Sequence, residues 1–293
     1  AVGADRVQTE ASVFYCDHNT LCVSGENADD HLFLKTAAAR FGVYFSKPGN
    51  GICHFLHCQR FARPGKVMLG ADSHTPTSGA LGMLAIGSGG LTVAEAALGQ
   101  GFRMNVPKVM GVKLVGRLHP GVTAKDIALE LLRQVSVKGG IGYIVEYCGD
   151  GVKELSISER QTIANMSIEI GAATGIFPSD ERTGEFLKAQ RRESDYVPLQ
   201  PEEGATYDKV VEIDLDRLEP LVAEPSMPDK VCTARKAEGV KPGSVFIGSC
   251  TNASYSDIAR AACILKGHKV HKDIDCTVAP GSRQVLAQLI KDG

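Results

Sequence analysis

Short apolar runs alternate along the chain with longer amphipathic stretches, and this alternation is typical of an α/β protein. The runs predict strands at 13–15, 43–45, 67–69, 109–118, 143–147, 209–215 and 244–247. The run at 67–69 is apolar throughout, so we expect this strand to be buried on both faces and to end at Gly70.

Helix starts are marked by residues that cap exposed backbone N–H groups. Asp29 is the predicted N-cap of a helix over 29–41, which we expect to stop at Gly42. Capping boxes, in which an acidic residue or a glutamine follows three positions after a serine or threonine, predict four further helices. The boxes begin at Thr92, Thr123, Ser158 and Ser254.

Polar and proline-rich segments predict where domains meet. A polar break over 102–108 favours a boundary near Pro107, and a proline-rich linker favours a second boundary near Val222. The expected division is a first α/β domain at 1–107, a second at 108–222 and the start of a third at 223–293.

An acid, a hydroxyl and an imidazole follow the predicted strand at 67–69. These residues are Asp72, Ser73 and His74. In open α/β sheets, ligands bind in the loops past the carboxyl ends of strands, so the triplet is a candidate site. An isolated triplet of this kind is more typical of an ordinary polar turn, and its interpretation depends on the rest of the chain.

Two further histidines lie in comparable positions. Asp17 and His18 follow the first predicted strand, and His54 lies in the apolar stretch 52–57. We expect both histidines, like His74, in loops after apolar strands. A carboxylate beside an imidazole tunes the ring for proton transfer near neutral pH. Taken alone, His54 and its neighbour His57 are each more typical of a satisfied core or interface histidine.

The helix predicted after Ser158 carries an amide and a carboxylate on one face. Asn165 and Glu169 are four residues apart, so their side chains point the same way. Such a face either lines a polar cleft or contacts solvent, and the sequence alone favours solvent.

Nine cysteines are scattered through the chain without a Cys-x-x-Cys pair. An odd count in a chain of 293 residues argues against a disulfide framework, and the lack of close pairs argues against a self-contained zinc or iron–sulfur site. Cys250 differs from the others because it lies between a predicted strand end and the helix that begins at Ser254. Amide dipoles at such a position favour a thiolate, the form that ligates metal.

Composition narrows the classes of function. The chain has 43% hydrophobic and 23% charged residues, a formal net charge of −2 and a pI near 6.5. These values are typical of a globular protein and provide no basic surface for nucleic acid. No apolar run is long enough to cross a membrane, so we expect a cytoplasmic protein without a membrane partner.

Histidines and acids that converge on one cleft suit a reaction that moves protons and water on a small polar substrate. The same side chains are also possible zinc ligands. Their spacing lacks the close His or Cys pairs of common zinc sites, so proton transfer is the favoured interpretation.

Six motifs, in order and with matching spacing, resemble the aconitase superfamily. They are CDH at 16–18, GICH at 51–54, GADSHTPTSGALG at 70–82, VKGGIGYIVEYCGDGV at 137–152, ANMSIEIGA at 164–172 and IGSCTN at 247–252. The resemblance extends from end to end of the chain. It implies aconitase-like three-layer α/β/α domains with mainly parallel sheets, truncated at both ends.

The resemblance also implies a function. Members of this superfamily are hydro-lyases that isomerise a small tri- or dicarboxylic hydroxy acid by dehydration and rehydration at a four-iron, four-sulfur (4Fe-4S) cluster. One iron of that cluster has no protein ligand and acts as a Lewis acid on the substrate. The run SCTNASYSDIARAA and Pro76 resemble the branch that converts citrate into isocitrate via cis-aconitate in the tricarboxylic acid cycle.

Five residues match the family's substrate site. The resemblance implies that Asp72, Ser73 and His74 contact the substrate, that His54 pairs with Asp72, and that Glu169 pairs with His74.

Five other residues match the family's proton donor and cluster surroundings. The resemblance implies that His18, backed by Asp17, gives a proton to the leaving hydroxyl. It further implies that Cys250 is the first of three cluster thiolates and that Asn165 and Asn252 lie near the cluster.

Parts of the family's active site have no counterpart in these residues. They are two further cluster cysteines, the arginines that bind substrate carboxylates, a serine base and an upstream glutamine. We therefore expect a fragment that alone neither retains the cluster nor turns over substrate, and whose partner is the remaining C-terminal part of the same protein.

Several alternatives stay open. The large subunit of 3-isopropylmalate dehydratase usually has Thr-His-Gly where this chain has Thr77-Ser78-Gly79, and homoaconitase or a related 2-hydroxy-acid dehydratase is a further possibility. An RNA-binding relative is disfavoured by the near-neutral charge. An α/β domain without activity is the third class. A eukaryotic source would place the protein in the mitochondrial matrix.

Overall fold

The computed structural model describes residues 5–293, which form two compact units. The first unit consists of the described residues up to Phe61 together with Ser88–Met104 and Val245–Gly293. The second unit consists of Ala62–Gly87 and Asn105–Ser244. Each unit combines separate stretches of sequence, whereas the expected domains are consecutive. The division at 1–107, 108–222 and 223–293 stays a prediction.

Helices and strands alternate along most of the chain. The strands are β1 (Val13–Tyr15), β2 (Tyr44–Ser46), β3 (Val67–Gly70), β4 (Leu84–Gly87), β5 (Lys108–Val115), β6 (Tyr143–Cys148), β7 (Gly175–Ile176), β8 (Lys209–Asp214), β9 (Leu221–Ala223), β10 (Val231–Thr233), β11 (Ser244–Ile247) and β12 (Asp275–Val278). The α-helices are α1 (Gly25–Phe41), α2 (Cys53–Arg60), α3 (Gly90–Ala97), α4 (Ala124–Val135), α5 (Ile157–Met166), α6 (Glu181–Ala189), α7 (Tyr255–Leu265) and α8 (Arg283–Asp292). Two 3₁₀ helices, Thr75–Leu81 and Ser167–Ile170, carry residues of the candidate site.

Parallel pairing dominates the sheets. The second unit contains a four-stranded sheet in the order β7-β6-β5-β8, in which every neighbouring pair is parallel. Strands β3 and β4 of the same unit and strands β1 and β2 of the first unit also pair in parallel, whereas β9 and β10 are antiparallel. The predicted α/β fold with mainly parallel sheets is confirmed.

The main core lies on one face of the four-stranded sheet. Met110, Val112 and Leu114 alternate along β5 with residues of the opposite face, and all three are fully buried. Helix α4 packs its apolar side into this core and begins, as predicted, with a capping box of Thr123 and Asp126. Each fully buried aliphatic side chain of this kind contributes about 1.5–3 kcal/mol of hydrophobic stabilisation.

Helix α5 carries a fully buried arginine. Arg160 donates hydrogen bonds of 2.9 and 2.6 Å to the two carboxylate oxygens of Asp180. It also donates to the backbone carbonyl oxygens of Pro178 and Val152, and its guanidinium lies over the ring of Phe177. Asp180 is the N-cap of α6, so this ion pair ties the start of α6 to α5.

One predicted feature of strand β3 and one of helix α1 are wrong. Strand β3 is not buried on both faces, because Val67 at its start is 65% exposed. Helix α1 begins at Gly25 rather than near Asp29, since Ser24 is the N-cap and its hydroxyl accepts a hydrogen bond from the N–H of Asn27. The predicted stop at Gly42 is confirmed by its left-handed conformation, with φ of 74°.

Of the other predicted capping boxes, the one at Ser254 is confirmed and two are wrong. The box of α5 is formed by Ser156 and Glu159 and not by Ser158, which lies inside the helix. Helix α3 starts after Gly89, so Thr92 lies within it. Among the described residues, no helix combines the length and the apolar character needed to span a bilayer.

Candidate active site

The Asp-Ser-His loop of the second unit is held in shape by its own hydrogen bonds. The Asp72 carboxylate accepts a 2.7 Å hydrogen bond from the N–H of His74, and the Asp72 carbonyl accepts one from the Thr75 hydroxyl at 2.7 Å. A Cβ at Gly70 would lie 2.2 Å from the Thr75 hydroxyl oxygen, so glycine leaves the room that the Thr75 side chain occupies. The triplet lies, as predicted, directly past the carboxyl end of a strand.

His74 and Glu169 form a pair, although 95 positions separate them in sequence. The His74 Nε2 lies 3.2 Å from a carboxylate oxygen of Glu169, and the Nδ1 lies 3.2 Å from the Ser73 hydroxyl. A carboxylate only accepts hydrogen bonds, so Nε2 donates to Glu169 and, in the neutral ring, Nδ1 accepts from Ser73. The hydrogen bond from His74 outweighs burial and lowers the pKa of Glu169.

Asn165 belongs to the same group of residues and is completely buried. Its side-chain N–H donates to the Thr77 hydroxyl at 2.9 Å, and that hydroxyl donates to the His74 carbonyl oxygen at 2.7 Å. The interpretation of this helix face as solvated is therefore wrong. Glu169 lies beyond the end of α5, on the 3₁₀ helix Ser167–Ile170. Thr77 is not among the predicted site residues, although it lies within the motif at 70–82.

Asp17 and His18 follow β1 in the first unit, as predicted. One carboxylate oxygen of Asp17 lies 3.1 Å from His18 Nδ1, and the other accepts a 2.7 Å hydrogen bond from the N–H of Cys53. Burial alone would raise the pKa of Asp17, but its hydrogen bonds from Cys53 and His18 lower it overall. The Asp17 side chain is 8% exposed and the His18 side chain is 75% exposed, so a buried carboxylate holds an accessible imidazole.

His54 lies on a helix, and its predicted position in a loop is wrong. It is the second residue of α2, is 4% exposed, and its ring nitrogens lie 3.6 and 3.7 Å from the Cys53 thiol. The sequence gives no sign of this helix start because Ile52, its N-cap, has no side chain that can accept a hydrogen bond.

Gly281 connects the segment around Ile52 with the segment around Ala253 in the first unit. Its carbonyl oxygen accepts a 2.9 Å hydrogen bond from the N–H of Ile52, and its own N–H donates to the Ala253 carbonyl oxygen at 2.8 Å. A Cβ at this position would lie 2.7 Å from two ring carbons of Phe55 and 2.9 Å from the Ala253 oxygen. Only glycine fits here, because any side chain would push the Ile52 segment away from the Ala253 segment.

Cys250 lies, as predicted, between a strand and a helix. Its thiol is half-buried, and the Sγ lies 3.9 Å from the hydroxyl oxygens of Ser249 and Thr251. Ser249 adopts a positive φ of 78°. Asn252 donates a 3.1 Å hydrogen bond to Asp257, which also closes the capping box of α7. The loop around the thiol is thereby fixed to the start of the helix.

Comparison with known sequences decides the family. The sequence model of the aconitase family, described as aconitate hydratase, matches residues 8–241 and 233–293. The chain belongs to the aconitase family.

Proteins similar to this chain are named as three different dehydratases or hydratases. The chain is 40% identical over 321 aligned residues to a mitochondrial aconitate hydratase of Arthroderma benhamiae, a match that covers 100% of this chain and 41% of that protein. It is 38% identical to a mitochondrial homocitrate dehydratase of Saccharomyces cerevisiae, with 99% of this chain and 41% of that protein covered.

A third similar protein is shorter. The chain is 38% identical over 293 residues to the 3-isopropylmalate dehydratase large subunit 2 of Archaeoglobus fulgidus, which covers 100% of this chain and 70% of that protein. The chain thus spans about two fifths of the length of the aconitate hydratases it matches, and a larger part of the isopropylmalate enzyme.

The residues of the aconitase-family chain fit one ligand position of an iron–sulfur cluster. Such clusters are held by cysteine thiolates, and Cys250 provides a half-buried thiol in the loop between β11 and α7. Cys263 and Cys276, the next cysteines along the chain, are exposed on α7 and β12. The donor set described here is therefore a single thiolate of the three that the family resemblance implies.

Each unit brings together part of the predicted site. The second unit joins Asp72, Ser73, His74, Asn165 and Glu169 by hydrogen bonds that run through Thr77 and the loop backbone. The first unit contains Asp17, His18, His54, Cys250 and Asn252. The expected pair of His54 and Asp72 joins residues of different units and stays a prediction.

Proposed function

We propose that this chain is part of a hydro-lyase that isomerises citrate to isocitrate via cis-aconitate by dehydration and rehydration. The observation that carries the proposal is the pair of His74 and Glu169, 3.2 Å apart, in a member of the aconitase family. A carboxylate that holds an imidazole beside a strand-end loop supports proton transfer on a small polar substrate. The proposal concerns the whole protein, to which the chain contributes these residues.

His18 is the proposed proton donor. Its Nδ1–H donates to Asp17, so in the neutral ring Nε2 is the nitrogen that exchanges a proton. During dehydration a base in the rest of the protein takes the proton from the neighbouring carbon, and the electrons of that C–H bond form the double bond. The C–O bond breaks as the departing hydroxyl takes a proton from the His18 imidazolium and leaves as water. Rehydration reverses each of these transfers. The buried Asp17 carboxylate orients the ring and stabilises its charged form.

Asp72, Ser73 and His74 are the proposed substrate contacts. The hydroxyl of Ser73 and the imidazole of His74 provide hydrogen bonds to substrate oxygens, and Glu169 keeps the His74 ring in one orientation. Thr77 and Asn165 hold the loop from behind through the His74 carbonyl. These contacts would fix the orientation of the bound hydroxy acid.

Cys250 is the proposed ligand for a 4Fe-4S cluster, with Asn165 and Asn252 nearby and the other thiolates supplied by the rest of the protein. When bound, the cluster supplies a Lewis-acidic iron that withdraws charge from the departing hydroxyl. The residues of this chain then provide the protons and the hydrogen bonds. Aconitate hydratases similar to this chain are named mitochondrial, so for a eukaryotic source we infer the mitochondrial matrix, and otherwise the cytoplasm.

A second candidate is the dehydration of 3-isopropylmalate. The alignment with the isopropylmalate enzyme spans 293 residues, the length of this chain, whereas the alignment with the Arthroderma aconitate hydratase spans 321. The aconitate hydratase therefore contains segments that this chain lacks. The alignment length of 293 residues favours 3-isopropylmalate dehydration. In contrast, Pro76 and Ser78 resemble the aconitate hydratase branch.

The test is activity of the full-length protein, purified without oxygen, on citrate, cis-aconitate and 3-isopropylmalate. We expect turnover of citrate and cis-aconitate, and a loss of about 10²–10⁴-fold in kcat for His18→Gln. Exclusive turnover of 3-isopropylmalate would show that the proposed substrate is wrong and that the proposed reaction class is right. No turnover of any hydroxy acid by a cluster-loaded protein would remove the proposal.

The cluster ligand is tested separately. Cys250→Ala should abolish the iron–sulfur absorbance of the full-length protein, while Cys263→Ala, a change at an exposed cysteine on α7, should leave it intact. Retention of the cluster in Cys250→Ala would contradict the assignment.

A further inference from the structure

The loop between β1 and α1 contains a thiol and an imidazole that the proposed function does not use. Cys22 is exposed, and its Sγ lies 3.3 Å from Nδ1 of His31 in α1. Cys22 is two positions before Ser24, the N-cap of this 17-residue helix.

The second contact of His31 fixes which ring nitrogen carries the proton. Nε2 lies 2.7 Å from the backbone carbonyl oxygen of Asn19, which can only accept a hydrogen bond. Nε2 is therefore the donor, and in the neutral ring Nδ1 is the acceptor that faces the thiol of Cys22. The imidazole is oriented to take the thiol proton, which is the arrangement that activates a nucleophilic cysteine.

The loop is held against α1 at a second point. The side-chain oxygen of Asn27 accepts a 3.3 Å hydrogen bond from the N–H of Val23. Asn27 and His31 are four residues apart and share one helix face, so both fasten the same loop. The meeting of Cys22 with His31 is thus supported by backbone contacts on either side of the thiol.

We propose that Cys22 is a thiol-modification site, activated by His31, which reacts with small disulfides. His31 Nδ1 takes the proton of Cys22, and the thiolate attacks one sulfur of the disulfide. A new bond forms between Cys22 Sγ and that sulfur while the old S–S bond breaks, and the leaving thiolate takes the proton from the imidazolium. The site does not depend on the proposed dehydratase chemistry.

The chain supplies matched controls for this reaction. Cys263 and Cys276 are also exposed. Within residues 5–293, no hydrogen bond joins either of them to an imidazole, whereas Cys22 has one. Exposure is therefore common to all three thiols, and the imidazole distinguishes Cys22.

The test treats the folded full-length protein with a dipyridyl disulfide below one equivalent at pH 7 and follows each cysteine by peptide mass spectrometry. We expect Cys22 to react at least about tenfold faster than Cys263 and Cys276. His31→Gln should reduce the rate at Cys22 to that of the controls. Unchanged rates at Cys263 and Cys276 in this variant show that it has folded.

Two results would overturn the proposal. Equal rates at Cys22, Cys263 and Cys276 in the wild-type protein would show that the His31 imidazole does not activate the Cys22 thiol. This result needs no variant. A rate excess at Cys22 that persists in folded His31→Gln would assign the reactivity to something other than His31.

Discussion

The Asp17 carboxylate caps helix α2 from a distant part of the sequence, because it accepts a 2.7 Å hydrogen bond from the backbone N–H of Cys53. Cys53 is the first residue of α2, and the N-cap Ile52 makes no side-chain hydrogen bond of its own. The same carboxylate contacts His18. Asp17 thus fixes the His18 loop to the helix that carries His54.

Asp17→Asn should lower the stability of the protein in a pH-dependent way. We expect a loss of about 1 kcal/mol at pH 6, because a charged helix cap is replaced by a neutral one. The pKa of Asp17 is lowered from its ordinary value of 3.8. The Asp17 charge therefore makes its full contribution to the free energy of unfolding above pH 3.8. That contribution disappears as the pH falls through the lower pKa of Asp17 in the folded state.

The measurement is urea unfolding of wild type and Asp17→Asn at pH 6, 4 and 3. The difference between the two proteins should be full at pH 6 and should shrink below about pH 4. A difference of constant size across this range would show that the charge on Asp17 does not act as described.

Glu169→Gln should reduce activity without unfolding the protein. Glutamine keeps the size of the side chain but removes the charge that holds His74, so we expect kcat of the full-length enzyme to fall about 10- to 100-fold. Glu212→Gln is the matched control, since Glu212 forms an exposed ion pair with Lys113 on the four-stranded sheet. Full activity in Glu169→Gln would remove Glu169 from the site.

Thr77→Val should weaken both the fold and the site. The substitution keeps the shape but leaves the buried Asn165 amide without the Thr77 oxygen and the His74 carbonyl without the Thr77 hydroxyl, which should cost about 1–3 kcal/mol. Thr77→Ser retains the hydroxyl and should keep most of the activity. Chemical unfolding and citrate turnover of the two full-length variants provide the comparison, and equal behaviour would show that the hydroxyl does not matter.

Gly281→Ala should destabilise the first unit. The added methyl group would lie 2.7 Å from the ring of Phe55, and overpacking of this kind costs about 1–3 kcal/mol. Gly101→Ala is the control, because nothing lies within 4 Å of a Cβ at Gly101 and its φ is not in the left-handed region. Thermal unfolding should separate the two variants, and similar midpoints would contradict the close contact.

Arg160→Met should be among the most damaging single changes. It leaves the Asp180 carboxylate, whose side chain is 14% exposed, without its partner, and the loss of one member of a buried pair costs about 3–5 kcal/mol. The double change Arg160→Met with Asp180→Asn should recover part of this loss, since the unpaired charge is gone. A double variant that is less stable than Arg160→Met alone would count against this explanation.

The order of strands and helices could be predicted from the sequence because it depends on local patterns. The apolar run at 109–118 marked β5, and the box of Thr123 and Asp126 marked α4. Helix α2 could not be found in this way, because its cap is supplied by Asp17, 36 positions earlier. The apolar stretch 52–57 contains no local capping signal, and His54 was therefore expected in a loop.

The candidate site shows the same limit. The position of Asp72-Ser73-His74 at a strand end follows from the apolar run before it, whereas the pairing of His74 with Glu169 was expected only from the family resemblance. The spacing of Asn165 and Glu169 defined a shared face but not its environment, and Asn165 proved to be buried. Thr77 and Gly281 act through contacts with distant segments, which no local pattern records.

The hydrogen bonds of Gly281 have a consequence for synthesis on the ribosome. Ile52 and the start of α2 are fastened to a residue that is made long after them, and the neighbouring contact of Gln59 with Ser282 spans 223 positions. At usual elongation rates this interval lasts roughly 10–45 s. Throughout that time the nascent helix lacks its second anchor, so the half of the site around His54 is completed only when translation reaches Gly281.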